Sequence, residues 1–123
     1  FEEIVIITDD ENPFDEEQRV ELEDPGLSLR ISAEMNKELP ARDIVYQNAI
    51  LWTGENYDSL GDRFRLDDSS PLKSDAIILH PLARGPELSP TLDKSVHNWY
   101  FAQARGAVFI RMALLATILK VFV

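Results

Sequence analysis

The residues best suited to chemistry lie in one short segment, His80-Pro81-Leu82-Ala83-Arg84-Gly85. The His80 imidazole could hydrogen-bond this segment, although a single histidine at the end of a strand is more often structural. The Arg84 guanidinium could bind a carboxylate through two parallel hydrogen bonds, which a lysine does less well. That carboxylate could belong to Glu87 or to a bound substrate. The proline and the glycine in the segment predict an irregular loop.

Other kinds of chemistry are excluded or disfavoured. The chain contains no cysteine, which excludes disulfides, thiolate metal sites and cysteine nucleophiles. The sequence has neither a Gly-x-Gly-x-x-Gly motif nor a Walker phosphate loop. The acidic runs Asp9-Asp10-Glu11 and Asp67-Asp68 lack other ligands at metal-binding spacing, so we expect them to cap turns in solvent. We therefore predict no metal ion and no cofactor.

Composition limits the class of protein. The 123 residues correspond to one domain at most. The 12 basic and 22 acidic residues give a net charge of −10, which argues against nucleic acid or an anionic membrane as partner. The first residues, Phe1-Glu2-Glu3, lack the basic region of a signal peptide. A soluble cytoplasmic protein is therefore expected.

Four strands and several helices are predicted to position the loop that follows His80. The first and last strands are unbroken apolar runs, as in strands that are buried on both faces. The predicted strands are 4–7, 27–31, 43–46 and 75–80, and helical patterns cover 14–22, 34–39 (ended by Pro40) and about 98–123. Strands separated by roughly 15–30 residues require crossover connections. The fold class predicted is therefore α/β, a doubly wound, Rossmann-like parallel sheet of about four strands.

In such a sheet, ligands bind beyond the carboxyl ends of the strands. The loops after Thr8, Tyr46 and His80 are therefore expected at the functional edge. The polar stretch 52–72, with a possible short helix at 57–64, is long for a passive connection and is typical of a functional lid.

The C-terminal segment is unusually apolar. From Ala107 to Val123 its polar residues are Arg111, Thr117 and Lys120, so apolar side chains occur almost all round the predicted helix. A helix of this kind is normally buried on most sides. Its length and its two basic residues disfavour a membrane span. We expect it to pack against protein that is absent from this chain.

Three blocks of sequence resemble the C-terminal part of aspartate carbamoyltransferases, in the aspartate/ornithine carbamoyltransferase superfamily. The first is Ser74 to Gly85, which is similar to the family's His-Pro-Leu-Pro-Arg loop. The second is His97-Asn98-Trp99-Tyr100-Phe101, and the third is the helix Gly106 to Leu115, which matches Gly-x-Phe-x-Arg-x-Ala-Leu. The blocks occur in the family's order and spacing. Residues 1–73 match only in the order of strands and helices and at Asp43-Ile44-Val45-Tyr46.

The resemblance implies a role in moving the carbamoyl group of carbamoyl phosphate to an amino acid, aspartate above all, in pyrimidine biosynthesis. Family members have a carbamoyl-phosphate domain and an amino-acid domain, and they form trimers. Residues 1–105 then correspond to part of the amino-acid domain, and 106–123 to the helix that crosses onto the absent first domain. The chain would be a piece of a longer protein that catalyses only with that domain.

By the same resemblance, Leu82 and Ala83 bind carbamoyl phosphate. Their backbone carbonyls would accept hydrogen bonds from the carbamoyl amide and hold its carbon against the incoming amine. The family has a cis Leu-Pro bond here, whereas this chain has Ala83 in place of the proline. Either the cis bond is retained without proline, or the loop has changed.

The amino-acid site is where the sequence departs most from the family. Aspartate carbamoyltransferases carry an Arg and a Gln after the third strand, and the alignment places Ala49 and Leu51 there. The candidates for contact with the amino acid are Gln47, Asn48, Ala49 and Arg84. Gln47 and Asn48 could instead only cap the end of the strand.

Two alternatives stay open. Ornithine carbamoyltransferases have an Asp and a Ser-Met-Gly where this chain has Asn48 and Trp52-Thr53-Gly54, so the acceptor amino acid is not fixed. A non-catalytic relative with a decayed amino-acid site, acting in assembly or regulation, is the other possibility. Ala49 and Leu51 favour that relative, and the loop from His80 to Gly85 favours the enzyme.

Overall fold

The computed structural model describes residues 3–22, 28–50 and 62–120. In these residues strands β1 (Glu3–Ile7), β2 (Ser28–Ser32), β3 (Ile44–Tyr46) and β4 (Ile77–Leu79) are combined with helices α1 (Glu16–Leu22), α2 (Met35–Glu38) and α3 (Tyr100–Leu119). Two 3-10 helices cover Leu39–Ala41 and Pro90–Lys94. The first continues directly from α2, so Pro40 does not end this helical segment as predicted, because proline is tolerated in the first turn of a helix. Most of the helix predicted at 57–64 lies outside the described residues.

All the strand pairs are parallel, as the spacing of the apolar runs predicts. β1 pairs with β2, placing Ile4 opposite Leu29, and β3 pairs with β4, placing Val45 opposite Ile78. Within the described ranges the strands therefore form two hydrogen-bonded pairs and not one continuous sheet of four. The α/β class with parallel strands and a long C-terminal helix is confirmed.

A network of charged side chains ties the first strand pair to α2 and to the start of β3. Glu38 on α2 accepts hydrogen bonds of 2.6 and 2.7 Å from the two terminal nitrogens of Arg30. Arg30 Nε also donates to Glu3 on β1 (3.3 Å), and Glu3 accepts a further bond from Arg42 beside β3. The bonds from Arg30 lower the pKa of Glu38 to about 2, so this carboxylate stays charged through the physiological range.

The hydrophobic core lies where β4, the segment around Leu66 and the start of α3 meet. Ile78 in the middle of β4 is fully buried, and so are Leu66, Leu88 and Tyr100. The core is completed by Met35, Leu39 and Leu92. Because Ile7 on β1 and Val45 on β3 both pack against this cluster, it holds the two strand pairs in one domain.

The aromatic segment before and within α3 is only partly core. Tyr100 is fully buried, whereas Trp99 and Phe101 are 51% and 46% exposed, so only one of the three aromatic residues belongs to the core. Successive residues of a helix point about 100° apart, so neighbouring residues cannot all face the same core.

Asp93 joins the second 3-10 helix to the start of α3. Its carboxylate accepts hydrogen bonds from the Arg84 guanidinium, including one of 2.7 Å from Nη2, and from the Tyr100 hydroxyl at 2.6 Å. Its backbone carbonyl accepts a third, from Asn98 Nδ2 at 2.6 Å. The Arg84 guanidinium, with help from the Tyr100 hydroxyl, lowers the pKa of Asp93 to about 2.

The helix α3 leaves this anchor and carries its apolar side chains into solvent. Val108, Phe109, Ile110, Met112, Leu114, Leu115, Ile118 and Leu119 are all more than half exposed. The helix is long and apolar enough to cross a membrane by length and composition, and none of its most apolar 18-residue window is buried. An exposed apolar surface of this extent marks a site of contact with another protein surface or with a membrane.

We expect Asp93→Asn to lower the free energy of unfolding by about 2 kcal/mol at pH 7, since the Arg84 and Tyr100 donors lose their charged acceptor. The folded-state pKa of Asp93, about 2, lies below its ordinary value of 3.8. Its contribution to stability is therefore complete above the ordinary value and is lost as the pH falls through about 2. Urea denaturation between pH 2 and 7 should show a shallower acid limb for Asp93→Asn than for the unsubstituted chain.

The matched control is Asp75→Asn, because the Asp75 side chain is 72% exposed and contacts only Lys73 among the ion pairs of the described residues. Equal acid limbs for the two variants would contradict the role assigned to Asp93.

Candidate functional site

The loop that follows β4 is held by the buried side chain of its first residue. His80 is fully buried, and its backbone N–H donates to Gln103 Oε1 on α3 at 2.8 Å. Its ring Nδ1 accepts a hydrogen bond from the backbone N–H of Leu82 at 2.9 Å. The expectation that the His80 imidazole hydrogen-bonds this loop is confirmed.

Glu87 closes the same loop from its other end. This residue is also fully buried, and its Oε1 lies 3.0 Å from His80 Nε2 and 2.6 Å from the backbone N of Gly85. Its other carboxylate oxygen, Oε2, has no hydrogen-bond partner among the described residues. Glu87 therefore pairs with His80, so the interpretation of Glu87 as the partner of Arg84 is wrong.

Between these two residues the backbone takes an unusual path. The Leu82–Ala83 peptide bond is cis although Ala83 is not a proline, and Leu82 has a φ of 49°. The left-handed region is unfavourable for a residue with a side chain, by roughly 1–2 kcal/mol. The Leu82 side chain, partly buried against the core, and its N–H bond to His80 offset this cost. Of the two alternatives left open by the sequence, the structure shows the first, a cis bond retained without proline.

Arg84 is turned toward α3. Its terminal nitrogens both bind the Asp93 carboxylate, and its guanidinium lies 5.8 Å from the ring centres of Tyr100 and Phe101. The Asp93 hydrogen bonds raise the pKa of Arg84. Bidentate binding of a carboxylate is the chemistry predicted for this guanidinium, and here the carboxylate belongs to the chain itself.

The end of β3 lies beside this loop. In the parallel pair, Tyr46 is in register with Leu79, so residues 47–49 and the loop after His80 leave the sheet at the same edge. The backbone N–H of Gln47 donates to Leu79 O at 2.9 Å, continuing the ladder by one residue. The structure thus brings the two groups of predicted site residues to one edge of the second strand pair.

The polar side chains at this edge make local contacts. Gln47 Nε2 donates to the backbone carbonyl of Phe64 at 3.2 Å, which ties the end of β3 to the segment 62–66. The Oδ1 atom of Asn48 accepts from the N–H of Ala49 at 3.2 Å, and both residues are exposed. These bonds are those of residues that cap a strand end. Leu51 and residues 52–61 of the predicted lid lie outside the described residues.

The segment around Leu66 connects both parts of the site. The Leu66 N–H donates to Glu87 O at 2.8 Å, and the Ser89 N–H donates to Leu66 O at 2.8 Å, so a short parallel bridge joins Leu66 to Leu88. Since Gln47 binds Phe64 two residues earlier, one segment contacts both the end of β3 and the base of the His80 loop.

The acidic runs act as turn caps, as predicted. Asp67 Oδ1 accepts from Ser69 N at 2.9 Å and from Ser69 Oγ at 2.6 Å, and Asp10 Oδ1 accepts from Asn12 N at 2.9 Å. In residues 3–22, 28–50 and 62–120 no group of three His, Asp or Glu side chains is placed to hold a metal ion.

Two cavities in the described part of the chain lie away from the predicted residues. One of about 470 Å³ lies between α1 and β2 and includes Phe14, Arg19 and Ile31 in its lining. Another of about 300 Å³ includes Asn36, Arg65 and Asp67. Neither of these two cavities is lined by the predicted site residues at the ends of β3 and β4.

Sequence reasoning gave Glu87 the wrong partner and gave Asp93 no role, although both residues organise the site. Each is an acidic residue in a loop or a short 3-10 helix, where a charge is usually solvated. The neighbouring prolines and glycine were a usable signal, since an acidic residue inside such a loop can accept the backbone N–H groups that the irregular path leaves unpaired.

The comparisons with known proteins agree on one family. The profile of the family "Aspartate/ornithine carbamoyltransferase, Asp/Orn binding domain" matches residues 3–118. The aspartate carbamoyltransferase catalytic subunit of Alkaliphilus oremlandii is 32% identical over 124 residues, covering 95% of this chain and 38% of that protein. The corresponding subunit of Haloquadratum walsbyi is 33% identical over 103 residues, covering 79% of this chain and 34% of that protein. The chain thus spans little more than a third of the length of these relatives.

Solved structures give the same fold. Aspartate transcarbamoylase from Trypanosoma cruzi in complex with carbamoyl aspartate and phosphate superposes with a TM-score of 0.78 at 21% identity, over 93% of this chain and 39% of that one. Its complex with carbamoyl phosphate and aspartate gives a TM-score of 0.70 at 25% identity, over 81% and 33%. The chain belongs to the aspartate/ornithine carbamoyltransferase family and matches its Asp/Orn binding domain.

Proposed function

We propose that this chain is the amino-acid-binding part of a carbamoyltransferase that moves the carbamoyl group of carbamoyl phosphate to the amino group of aspartate and releases phosphate. The observation that carries the proposal is the backbone path of the loop from His80 to Glu87, combined with the family match. Catalytic subunits of aspartate carbamoyltransferases are among the relatives of this chain, and one Trypanosoma cruzi enzyme was solved with both carbamoyl phosphate and aspartate.

Leu82 and Ala83 would bind the carbamoyl group through their backbone carbonyls. Carbonyl oxygens accept hydrogen bonds and carry no proton to donate, so they suit the NH2 of a carbamoyl group and leave its carbon open to attack. Binding through backbone carbonyls requires no particular side chain at positions 82 and 83. An alanine in place of the family's proline is therefore compatible with it, given the loop path that the chain adopts.

The amino acid would lie at the adjoining strand end, near Gln47, Asn48 and Ala49. Ala49 has no side-chain donor for a carboxylate, so the polar groups available here are those of its neighbours. Arg84, the fourth candidate for contact with the amino acid, already binds Asp93 with both terminal nitrogens. That pairing favours anchoring of the loop over direct contact with substrate.

The chain would act together with a carbamoyl-phosphate domain. In this proposal residues 1–105 form part of the amino-acid domain, and the helix 106–123 packs on that other domain. The exposed apolar surface of α3 supports the packing.

We further propose a trimeric, cytoplasmic enzyme of pyrimidine biosynthesis, by analogy with the family. The family match extends to residue 118, so α3 belongs to the shared domain and not to an appended anchor. Arg105 and Arg111 also interrupt its apolar surface, and charged side chains are costly inside a bilayer. These features favour a protein surface over a membrane as its partner.

The test is a hybrid in which this chain replaces the matching segment of the Alkaliphilus oremlandii catalytic subunit. We expect the hybrid to consume carbamoyl phosphate with aspartate. The double variant Ala49→Arg with Leu51→Gln should raise kcat/KM for aspartate by about 10–100-fold, since a hydrogen bond to a charged group contributes roughly 1.5–3 kcal/mol. Steady-state kinetics over a panel of amino acids, ornithine included, provides the measurement.

One combination of results would contradict the proposal. If the unsubstituted hybrid transfers to none of these amino acids while the double variant transfers to aspartate, the amino-acid site has decayed. The chain would then be a non-catalytic relative that acts in assembly or regulation.

A second prediction concerns the surface of α3. Phe109 is 63% exposed, so Phe109→Ser should change the free energy of unfolding of the chain alone by less than about 0.5 kcal/mol. In the hybrid the same change should cost about 3 kcal/mol, because a large aromatic side chain would be lost from a packed interface. Urea denaturation of both proteins measures the difference.

Val96→Ser is the matched control, since Val96 is 77% exposed and precedes α3. It should be nearly neutral in the chain and in the hybrid. A Phe109→Ser effect no larger in the hybrid than in the chain would rule out the proposed packing of α3.

A further inference from the structure

We propose that Glu87 is a positioning residue for the carbamoyl-binding loop. It holds His80 in the tautomer with hydrogen on Nε2, so that Nδ1 is free to accept the Leu82 N–H and fix the backbone of Leu82 and Ala83. This inference deepens the proposed function, on which it rests for its catalytic consequence.

The tautomer of His80 follows from the direction of its hydrogen bonds. The backbone N–H of Leu82 can only donate, so Nδ1, at 2.9 Å, must carry a lone pair. In a neutral imidazole the hydrogen then lies on Nε2, which is 3.0 Å from Glu87 Oε1. The contact between these side chains is therefore a hydrogen bond donated by a neutral imidazole to the carboxylate, and Glu87 selects the tautomer that Leu82 needs.

The same carboxylate oxygen also binds the loop directly. Gly85 N–H donates to Glu87 Oε1 at 2.6 Å, so one atom receives two donors from different points of the loop. The main chain of Glu87 is fixed independently, because its carbonyl accepts the Leu66 N–H at 2.8 Å. Glu87 is thus a fixed point between the segment around Leu66 and the backbone at Leu82.

The burial of Glu87 argues against a role in packing alone. A fully buried carboxylate with one oxygen lacking a partner in the described residues is costly compared with an apolar side chain of similar size. An apolar residue would fill the same volume, but it would leave the His80 Nε2–H and the Gly85 N–H without their acceptor. The hydrogen bonds that Glu87 makes to the loop therefore explain why a carboxylate stands at this position.

The chain has two histidines, so the tautomer of His80 can be measured with His97 as a reference in the same spectrum. His97 Nδ1 lies 2.7 Å from the Ala76 carbonyl oxygen, which can only accept, so His97 carries its hydrogen on Nδ1. The neutral histidines thus have opposite tautomers. Long-range ¹⁵N–¹H correlation spectra of the labelled chain at pH 8.5, where an unperturbed imidazole is neutral, distinguish them, with His97 as the internal reference.

Three substitutions of Glu87 distinguish the effect of the length of its side chain from the effect of its charge. Glu87→Gln keeps an acceptor oxygen at the same reach, Glu87→Asp keeps the charge but withdraws it by one methylene, and Glu87→Met removes the acceptor. We expect Gln to retain the Nε2–H tautomer of His80, and Asp and Met to give a mixture. Glu38→Gln is the control, because it removes a carboxylate bound to Arg30 outside the loop, and it should leave both histidine patterns unchanged.

In the hybrid enzyme, we expect Glu87→Asp and Glu87→Met to lower kcat by about 10–100-fold, the effect of displacing a reacting group by about 1 Å. The KM for carbamoyl phosphate should change less than about threefold, because the loop orients the carbamoyl group that the other domain captures. Glu87→Gln should stay within about fivefold of the unsubstituted hybrid, and Glu38→Gln should leave kcat unchanged.

The spectra and the kinetics of the hybrid test different parts of the proposal. If Asp and Met keep the His80 tautomer, or if the Asp variant has an unchanged kcat, Glu87 does not position the loop. If Glu87→Met does not fold, the Asp and Gln variants decide between these outcomes. If the unsubstituted hybrid has no activity, the proposed function is wrong, and the spectra alone decide whether Glu87 sets the tautomer of His80.

Discussion

The structure of the candidate site depends on the cost of burying polar groups without partners. His80 and Glu87 are both fully buried, and the bonds that satisfy them come mainly from the loop that they enclose. The Leu82 and Gly85 amides reach their acceptors only when the backbone follows its observed path. A buried donor or acceptor left without a partner costs roughly 1–3 kcal/mol, so alternative paths for this loop are strongly disfavoured.

The same constraint connects the loop to the rest of the domain. The backbone carbonyl of Glu87 accepts a hydrogen bond from Leu66, and the side chain of Gln47 donates one to Phe64. The backbone N–H of His80 donates to Gln103 on α3. Three segments that are distant in sequence therefore meet around one strand end.

The exposure of helix α3 has a different cause. One small domain can cover only a limited area of apolar surface, and the surface of α3 exceeds it. Its first residue, Tyr100, is buried in the core, and beyond it the helix carries eight large apolar side chains that are more than half exposed. The anchor at Asp93 fixes the direction in which this surface leaves the domain. An apolar surface held out in this way by a rigid base is suited to packing on a second domain.

The sequence alone determined the fold class, the parallel pairing and the position of the loop, because apolar runs and proline breaks are local signals. The sequence left open whether the bond before Ala83 is cis, and the backbone of the structure decided it. Only the tertiary structure decided that Arg84 pairs with Asp93, that Glu87 pairs with His80, and that Trp99 and Phe101 lie outside the core. Partner choice among charged side chains depends on distances between segments and on burial, and neither is encoded in the spacing of residues along the chain.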